Sequence, residues 1–320
     1  MLPSEIVYAN PILPLGGLPF SPKDKILDHF SGVLPYTVVK HSLPLEERLR
    51  AAHNFAEHST YPVIVKPNIG HRGVDLHLAD NQKELDAIIE NQTWDYMLQE
   101  YCDDPEEFGI FYCRIPGDTK GGIISLTQKI IPILTGDGSS TIDELIDMGG
   151  HGNRNALKEA LSSRLREVPA HDETVRTLVG ASHARGSTFI NAENLISAEL
   201  IDATNGICSV DGFYFGRLDV KSESVEELLA GEFKIIEING ATSEKIHIYD
   251  ENVSFIEGLR DLMEQWTLLF QIAAACKRRR PWNSKTNIDS GASGLRSLVK
   301  LLRQYKSFYM ATKLATGKLW

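Results

Sequence analysis

Cysteine is scarce: four in 320 residues (Cys102, Cys113, Cys208 and Cys276), with no CxxC pair. This excludes a disulfide scaffold and a zinc ribbon, and it fits a reducing compartment. Long apolar runs are missing as well; none reaches the ~18 residues a membrane-spanning helix requires. No charged leader precedes an apolar run at the N-terminus, so no secretory signal is expected and the cytoplasm is the expected location. The ten histidines form no HExxH, and no GxSxG elbow supports serine hydrolase chemistry. Cys102 and Cys113 fall on expected strands and read as buried thiols rather than nucleophiles.

Basic residues are thin everywhere except the end. From Lys277 to Trp320 there are eleven Lys and Arg against one acid, Asp289. The other 276 residues hold 22 basic and 42 acidic side chains. An acidic body with a basic tail is not the profile of a general nucleic-acid binder. A hydrophobic content of 42% with 24% charged residues is enough for a packed core and excludes wholesale disorder. The length suits one large domain or two lobes.

The first twenty residues, rich in Pro and Gly, read as an irregular lead-in. Ser21-Pro22 before Lys23-Asp24-Lys25-Ile26-Leu27 is a helix start, and 45–58 and 83–89 read as helices. Strands are expected at 61–66, 96–101, 108–115, 122–134, 213–220 and 233–238. The stretch 149–163 is polar, either mobile or helical. Apolar residues at 253, 256, 259, 263, 266 and 270 make a helical stripe. Strands and helices alternate without a βαβ rhythm, so the expected class is α+β.

Residues two apart on a strand share a face. Arg217 and Asp219 therefore face together, as do Glu237 and Asn239. If their strands pair, two carboxylates and an amide oxygen converge beside an arginine. These are hard oxygen donors suited to Mg²⁺ or Mn²⁺. Taken alone, they fit a salt-bridged surface hairpin as well. Lys66 closes an apolar strand before Pro67-Asn68-Ile69-Gly70-His71-Arg72-Gly73. A lysine there can hold a phosphate oxygen, and a glycine-bearing loop can lay N–H groups over phosphates. The loop is neither a Walker A loop nor GxGxxG, and alone it also fits a hairpin turn. Gln99-Glu100-Tyr101-Cys102 with Glu107 could face a base and ribose, or simply water.

In this order the pieces resemble the ATP-grasp superfamily, over about residues 21–270. They are nearest to the branch of D-alanine–D-alanine ligases. Gly136-Asp137-Gly138 with Ser140–Ile146 also resembles a segment of cyanophycin and glutathione-type ligases, and the lead-in Asn10–Gly17 resembles an uncharacterised ATP-grasp ligase group. The resemblance implies two lobes clasping ATP: a first lobe over 21–108 and a second over 109–276 with the metal site, between the lead-in 1–20 and the basic tail 277–320. It implies that Lys25 and Lys66 touch the ATP phosphates and that the loop with Gly70, His71, Arg72 and Gly73 covers them. Glu100, Tyr101 and Cys102 would hold the adenine, and Glu107 the ribose. Asp219, Glu237 and Asn239 would bind two Mg²⁺ (or Mn²⁺). Arg217, with Lys25, would stabilise the transferred phosphoryl group. His183–Ser187 is similar to a phosphate-binding segment of ribosomal-protein glutamate ligases, which adds Arg185.

The implied activity joins a small-molecule carboxylate to an amine, such as an amino acid or peptide, through an acyl phosphate. A phosphotransferase, or a nucleotide-binding module without turnover, would use the same residues. Only 23 residues precede Asp24, too few for the N-terminal domain of D-alanine–D-alanine ligases, so a different acceptor is expected. His247 and Tyr249 either line an acceptor pocket or are ordinary packing residues. In the tail, Leu295, Leu298, Val299, Leu302, Tyr305 and Tyr309 share a helical face ringed by Arg296, Lys300, Arg303 and Lys306. Such a basic amphipathic helix either lies on an anionic membrane through 293–315, at the inner face of that membrane, or packs in cis on the acidic body.

Overall fold

The computed structural model describes residues 3–19, 21–70, 73–149 and 153–279. His71, Arg72 and the tail from residue 280 lie outside the described residues. Two antiparallel sheets organise the chain, in keeping with the expected α+β class.

The small sheet contains β1 (Tyr36–Val39), β2 (Val63–Pro67), β3 (His77–Ala79) and β4 (Tyr96–Glu100), in the order β1-β4-β2-β3. Alternation on β2 sends Val63 and Val65 into a core with Ala52 and Ala56 of α2 (Leu45–Ser59) and Leu85 and Ile89 of α3 (Gln82–Glu90). Lys66 is left on the opposite face. Asn81 caps α3 by accepting from the Glu84 amide.

The large sheet runs β11-β10-β5-β6-β9. Its strands are β5 (Glu106–Cys113), β6 (Gly122–Ile130), β9 (Thr188–Asn191), β10 (Phe215–Ser222) and β11 (Lys234–Asn239). One face is apolar. Phe108, Ile110, Leu126, Leu218, Val220 and Ile238 pack there with α1 (Lys23–Leu27), α6 (Ala198–Cys208) and α7 (Val225–Leu229). At one end of the other face, Phe111 and Phe215 pack beneath α8 (Phe255–Arg279) and the 3₁₀ turns Pro3–Ala9 and Pro14–Gly17. The rest of that face is polar and carries the site.

β7 (Leu134–Thr135) and β8 (Thr174–Val175) form a two-stranded ribbon, packed with α4 (Ile142–Met148) and α5 (Arg154–Ala160) into a separate small core. Residues 101–105 pass between the two main sheets. Phe30 and Val33, with α1, pack on the large sheet. The lead-in is anchored by Asn10. Its amide donates to the carbonyls of Gly16 (3.1 Å) and Phe215 (2.7 Å) and accepts from the amides of Tyr214 (2.9 Å) and Phe215 (3.0 Å). Among the described residues no helix is long and apolar enough to cross a membrane.

The helix expected from the apolar stripe at 253–270 is present as α8, but the stripe faces outward: Ile256 is 78% and Met263 64% exposed. The packed face is instead Gly258, Gln265, Leu269, Ile272 and Cys276. Small and amide residues on that face kept it from reading as a core.

Candidate functional site

Strands β10 and β11 pair antiparallel with Arg217 opposite Asn239 and Asp219 opposite Glu237, before a bulge after Asp219. On the next strand Gly109 lies opposite Asp219. A Cβ at Gly109 would come within 3.1 Å of the Arg217 Cδ, so the missing side chain leaves room for the guanidinium to lie across the sheet. Arg217 Nε donates to Asp219 Oδ1 at 2.9 Å, and Asn239 Nδ2 to Asp219 Oδ2 at 3.3 Å.

The carboxylates are met by lysines from three elements. Lys129 of β6, almost fully buried, bridges Asp219 Oδ1 (2.9 Å) and Glu107 Oε1 (3.2 Å). Lys23 at the start of α1 reaches Glu237 Oε1 at 2.7 Å and donates to the Gly70 carbonyl at 2.8 Å. Lys66 donates to Gln99 Oε1 at 2.7 Å and to the Ile236 carbonyl at 3.4 Å, linking the small sheet to β11. Burial favours neutral groups, but here the charges decide individual cases. For Asp219, burial pushes upward, yet Arg217 and Lys129 outweigh it and hold the carboxyl far below its usual range. Glu237 is likewise lowered, against burial, by Lys23 and Lys66. For Lys66 burial wins, and its pKa is lowered from 10.5 to about 8.

Asn68 in the glycine-bearing loop fixes α1. Its amide donates to Asp24 Oδ1 (2.8 Å) and accepts from the Asp24 N–H (3.1 Å), while its carbonyl accepts from the Lys23 N–H (2.9 Å). Gly73 closes the described part of that loop; its carbonyl accepts from Arg185 Nη1 at 3.2 Å. Burial lowers the Arg185 pKa. Glu107 Oε2 accepts from the Ala181 N–H at 3.3 Å.

Of the residues singled out in the sequence, Arg217, Asp219, Glu237, Asn239, Lys66 and Glu107 are brought together, with Gly70, Gly73 and Arg185 at the edge. Lys25 is not in the cluster. Its ammonium is exposed and pairs with Asp24 (3.3 Å) and Asp28 (3.1 Å), and the α1 lysine that reaches the cluster is Lys23. Glu100 lies on the strand face opposite Gln99, so the side chain beside Lys66 is Gln99. Tyr101 lies under the Arg176 guanidinium, 5.7 Å from it. Cys102 is buried, and its thiol pKa is raised by that burial. Lys23 and Lys129 were not singled out, and Gln99 only as the first residue of the segment Gln99–Cys102. The available signal was Lys129 as the one charged residue of the strand Gly122–Ile130, and a buried-strand glutamine.

Beyond Asn239 the chain turns through Gly240, whose Cα lies where a Cβ on Gly17 would fall, at 2.6 Å. Gly17 has φ +77°, so only glycine suits both the conformation and the contact. The Ala241 N–H donates to the Gly16 carbonyl at 2.9 Å, which ties this loop to the lead-in. His247 is buried and hydrogen-bonded to Ser125 Oγ (2.7 Å) and Asp261 Oδ2 (3.0 Å), which makes it a packing residue. Tyr249 stacks with His183 at 5.0 Å.

Among the described residues no three His, Cys, Asp or Glu side chains cluster closely enough to hold a metal by themselves. The oxygen set is two carboxylates and one amide, with cations already on both carboxylates. Such a set suits a hard divalent ion that takes its remaining ligands from phosphate and water. Two buried polar atoms near the cluster, Gln99 Nε2 and Thr127 Oγ1, have no hydrogen-bond partner among the described residues. Buried polar atoms are rarely left so.

In sequence the chain is similar to ATP-grasp carboxylate–amine ligases, the branch its motifs resemble. Cyanophycin synthetase from a Synechocystis species is 23% identical over 213 residues, 59% of this chain and 24% of that protein. Among solved structures, the bifunctional glutathione synthetase of Pasteurella multocida aligns over 78% of this chain and 35% of its own, at 15% identity and a TM-score of 0.39. D-alanine–D-alanine ligase of Bacillus anthracis aligns over 78% and 63%, at 14% identity and a TM-score of 0.40. The chain thus spans about a quarter of the length of the curated relative it matches. No family model matches.

Proposed function

We propose that the chain is an ATP- and Mg²⁺-dependent ligase of the ATP-grasp type that joins a carboxylate to an amine through an acyl phosphate. The observation that carries this reading is the paired register of Asp219 with Glu237 and Arg217 with Asn239 on a polar sheet face, with Lys66 arriving from the other sheet. A triphosphate requires both parts: oxygen donors for its metal and cations for its own oxygens.

Asp219, Glu237 and Asn239 would hold Mg²⁺, which supplies charge neutralisation at the phosphates. Lys23 and Lys66 would hold phosphate oxygens, and Glu107 the ribose hydroxyls, with Gln99 turned to the base edge. Arg217 and Arg185 would stabilise charge on the transferred phosphoryl group. In the first step a carboxylate oxygen bonds the γ-phosphorus and the β–γ bridging bond breaks, releasing ADP. An amine then bonds the acyl carbon, and phosphate leaves with the electron pair of the C–O bond. The intermediate hydrolyses readily, so water has to be kept out, the role the family resemblance gives to the Asn68–Gly73 loop.

The test is an ADP-release screen over amino acids and short peptides supplied singly and in pairs. ADP that appears only with a pair supports a ligase. ADP with a single acceptor that becomes phosphorylated points to a phosphotransferase. Mg·ATP binding with no ADP from any pair rules out turnover.

A further inference from the structure

The apolar stripe left outward on α8 is uncovered among the described residues over Ile256–Trp266, and only its last member, Phe270, packs in part against the core beneath the helix. Ile256, Leu259, Met263 and Trp266 are all at least 38% exposed, and Phe270 is half-buried. Ile256, Leu259 and Met263 border a groove of about 530 Å³, which Leu268 continues along the helix. Single exposed apolar residues are ordinary, but a continuous stripe five residues long marks a contact surface. Its spacing is 3, 4, 3, 4, the alternation of a helix–helix seam rather than of one helix on a sheet.

The same spacing occurs once more, in the 41 residues after Arg279. Leu295, Leu298, Leu302, Tyr305 and Tyr309 also run 3, 4, 3, 4 and cover the same length. The charges match as well. Between 255 and 271 the outward acids are Glu257 and Glu264 beside Arg260, while Asp261 is turned in to Lys245 and His247; between 295 and 309 there are four basic residues and no acid. The connection is feasible. The α8 helix continues nine residues past Phe270, about 14 Å. Residues 280–294 can reach about 50 Å when extended and so can return along it.

We infer that residues 295–309 of the same chain dock antiparallel on the exposed stripe of α8, so that Leu302 meets Met263 and Tyr309 meets Ile256. The occupant is the chain's own tail: the seam length, the opposite charge and the start of the tail at the end of α8 all favour it over a separate partner. Docking covers the exposed apolar stripe of the helix with a basic, acid-free segment of the same chain.

The test uses the full chain with Met263→Cys and Leu302→Cys, treated with a short bismaleimide. The native cysteines are buried or half-buried, which keeps background low. The expected result is a cross-link within one monomer, mapped to 263 and 302, absent from either single variant and from a Lys83→Cys/Leu302→Cys pair on the small lobe. As an independent readout, maleimide should label Met263→Cys about tenfold more slowly in the full chain than after removal of 281–320, the protection expected of a docked element. Cross-links found only between two chains would replace the proposal with an exchange between copies. Protection seen only with phosphatidylserine vesicles would replace it with membrane binding. Equal labelling rates with and without the tail would overturn it outright.

Discussion

Glu237 is the most exposed member of the carboxylate pair, with 31% of its side chain accessible beside the nearly closed Asp219. It can exchange the Lys23 ammonium for a metal without disturbing the Asp219–Lys129–Glu107 bridge beneath. Glu237→Gln keeps the shape and removes the charge, so the fold should persist while ADP release falls by about 100-fold or more. Normal turnover in this variant would exclude Glu237 as a metal ligand. Lys66 supplies a second residue-scale prediction, with a defined sign. Above about pH 8 the folded chain has lost the Lys66 proton, whereas the unfolded chain keeps it up to about 10.5. Over that window stability should rise with pH. Phosphate binding by the ammonium should run the other way. The nucleotide Kd should rise above pH 8 by up to about tenfold per pH unit, and stay flat in Lys66→Arg, which keeps its charge. Isothermal titration at pH 7, 8 and 9 distinguishes the two; an identical slope in wild type and Lys66→Arg would place the titration elsewhere.

At the scale of elements, the site was legible where chemistry follows strand alternation. Arg217, Asp219, Glu237 and Asn239 needed only a period of two and a pairing partner, and Lys66 only the end of an apolar strand. Legibility failed where direction depends on a single turn. In a five-residue helix, Lys23 and Lys25 are separated by 200° around the axis, and the sequence does not say which points inward; the Asn68 contacts to Asp24 decide it. The sequence likewise does not say which of Gln99 and Glu100 faces Lys66, since the phase of β4 is set by its pairing with β2. The lead-in read as irregular because its 3₁₀ turns lack periodicity, yet Asn10 fastens it to β10 with every hydrogen-bonding position of its amide used. Asn10→Ala strands buried N–H and C=O groups and should cost about 2–4 kcal/mol, read as a lower urea midpoint with an unchanged m-value. An unaltered midpoint would mean that the lead-in contributes nothing to the folded state.

At the scale of the whole molecule, polar links join the two sheets, among them Lys66 to the Ile236 carbonyl, Lys23 to both Glu237 and Gly70, Asn68 to Asp24 of α1, and Arg185 to Gly73. A ligand held by both sheets would add to that junction, whereas one held by either sheet alone would not. Mg·ATP at 100 times its Kd should stabilise the fold by about 2.7 kcal/mol, and a chain of this size should then melt several degrees higher. Lys66→Ala on the small sheet and Glu237→Gln on the large sheet should each remove most of that shift. Because a bridging ligand needs both anchors at once, the double variant should lose little more than either single one. Losses that add across the two variants would indicate two independent contacts rather than one clasp, and a full shift in Lys66→Ala would place the nucleotide on the large sheet alone.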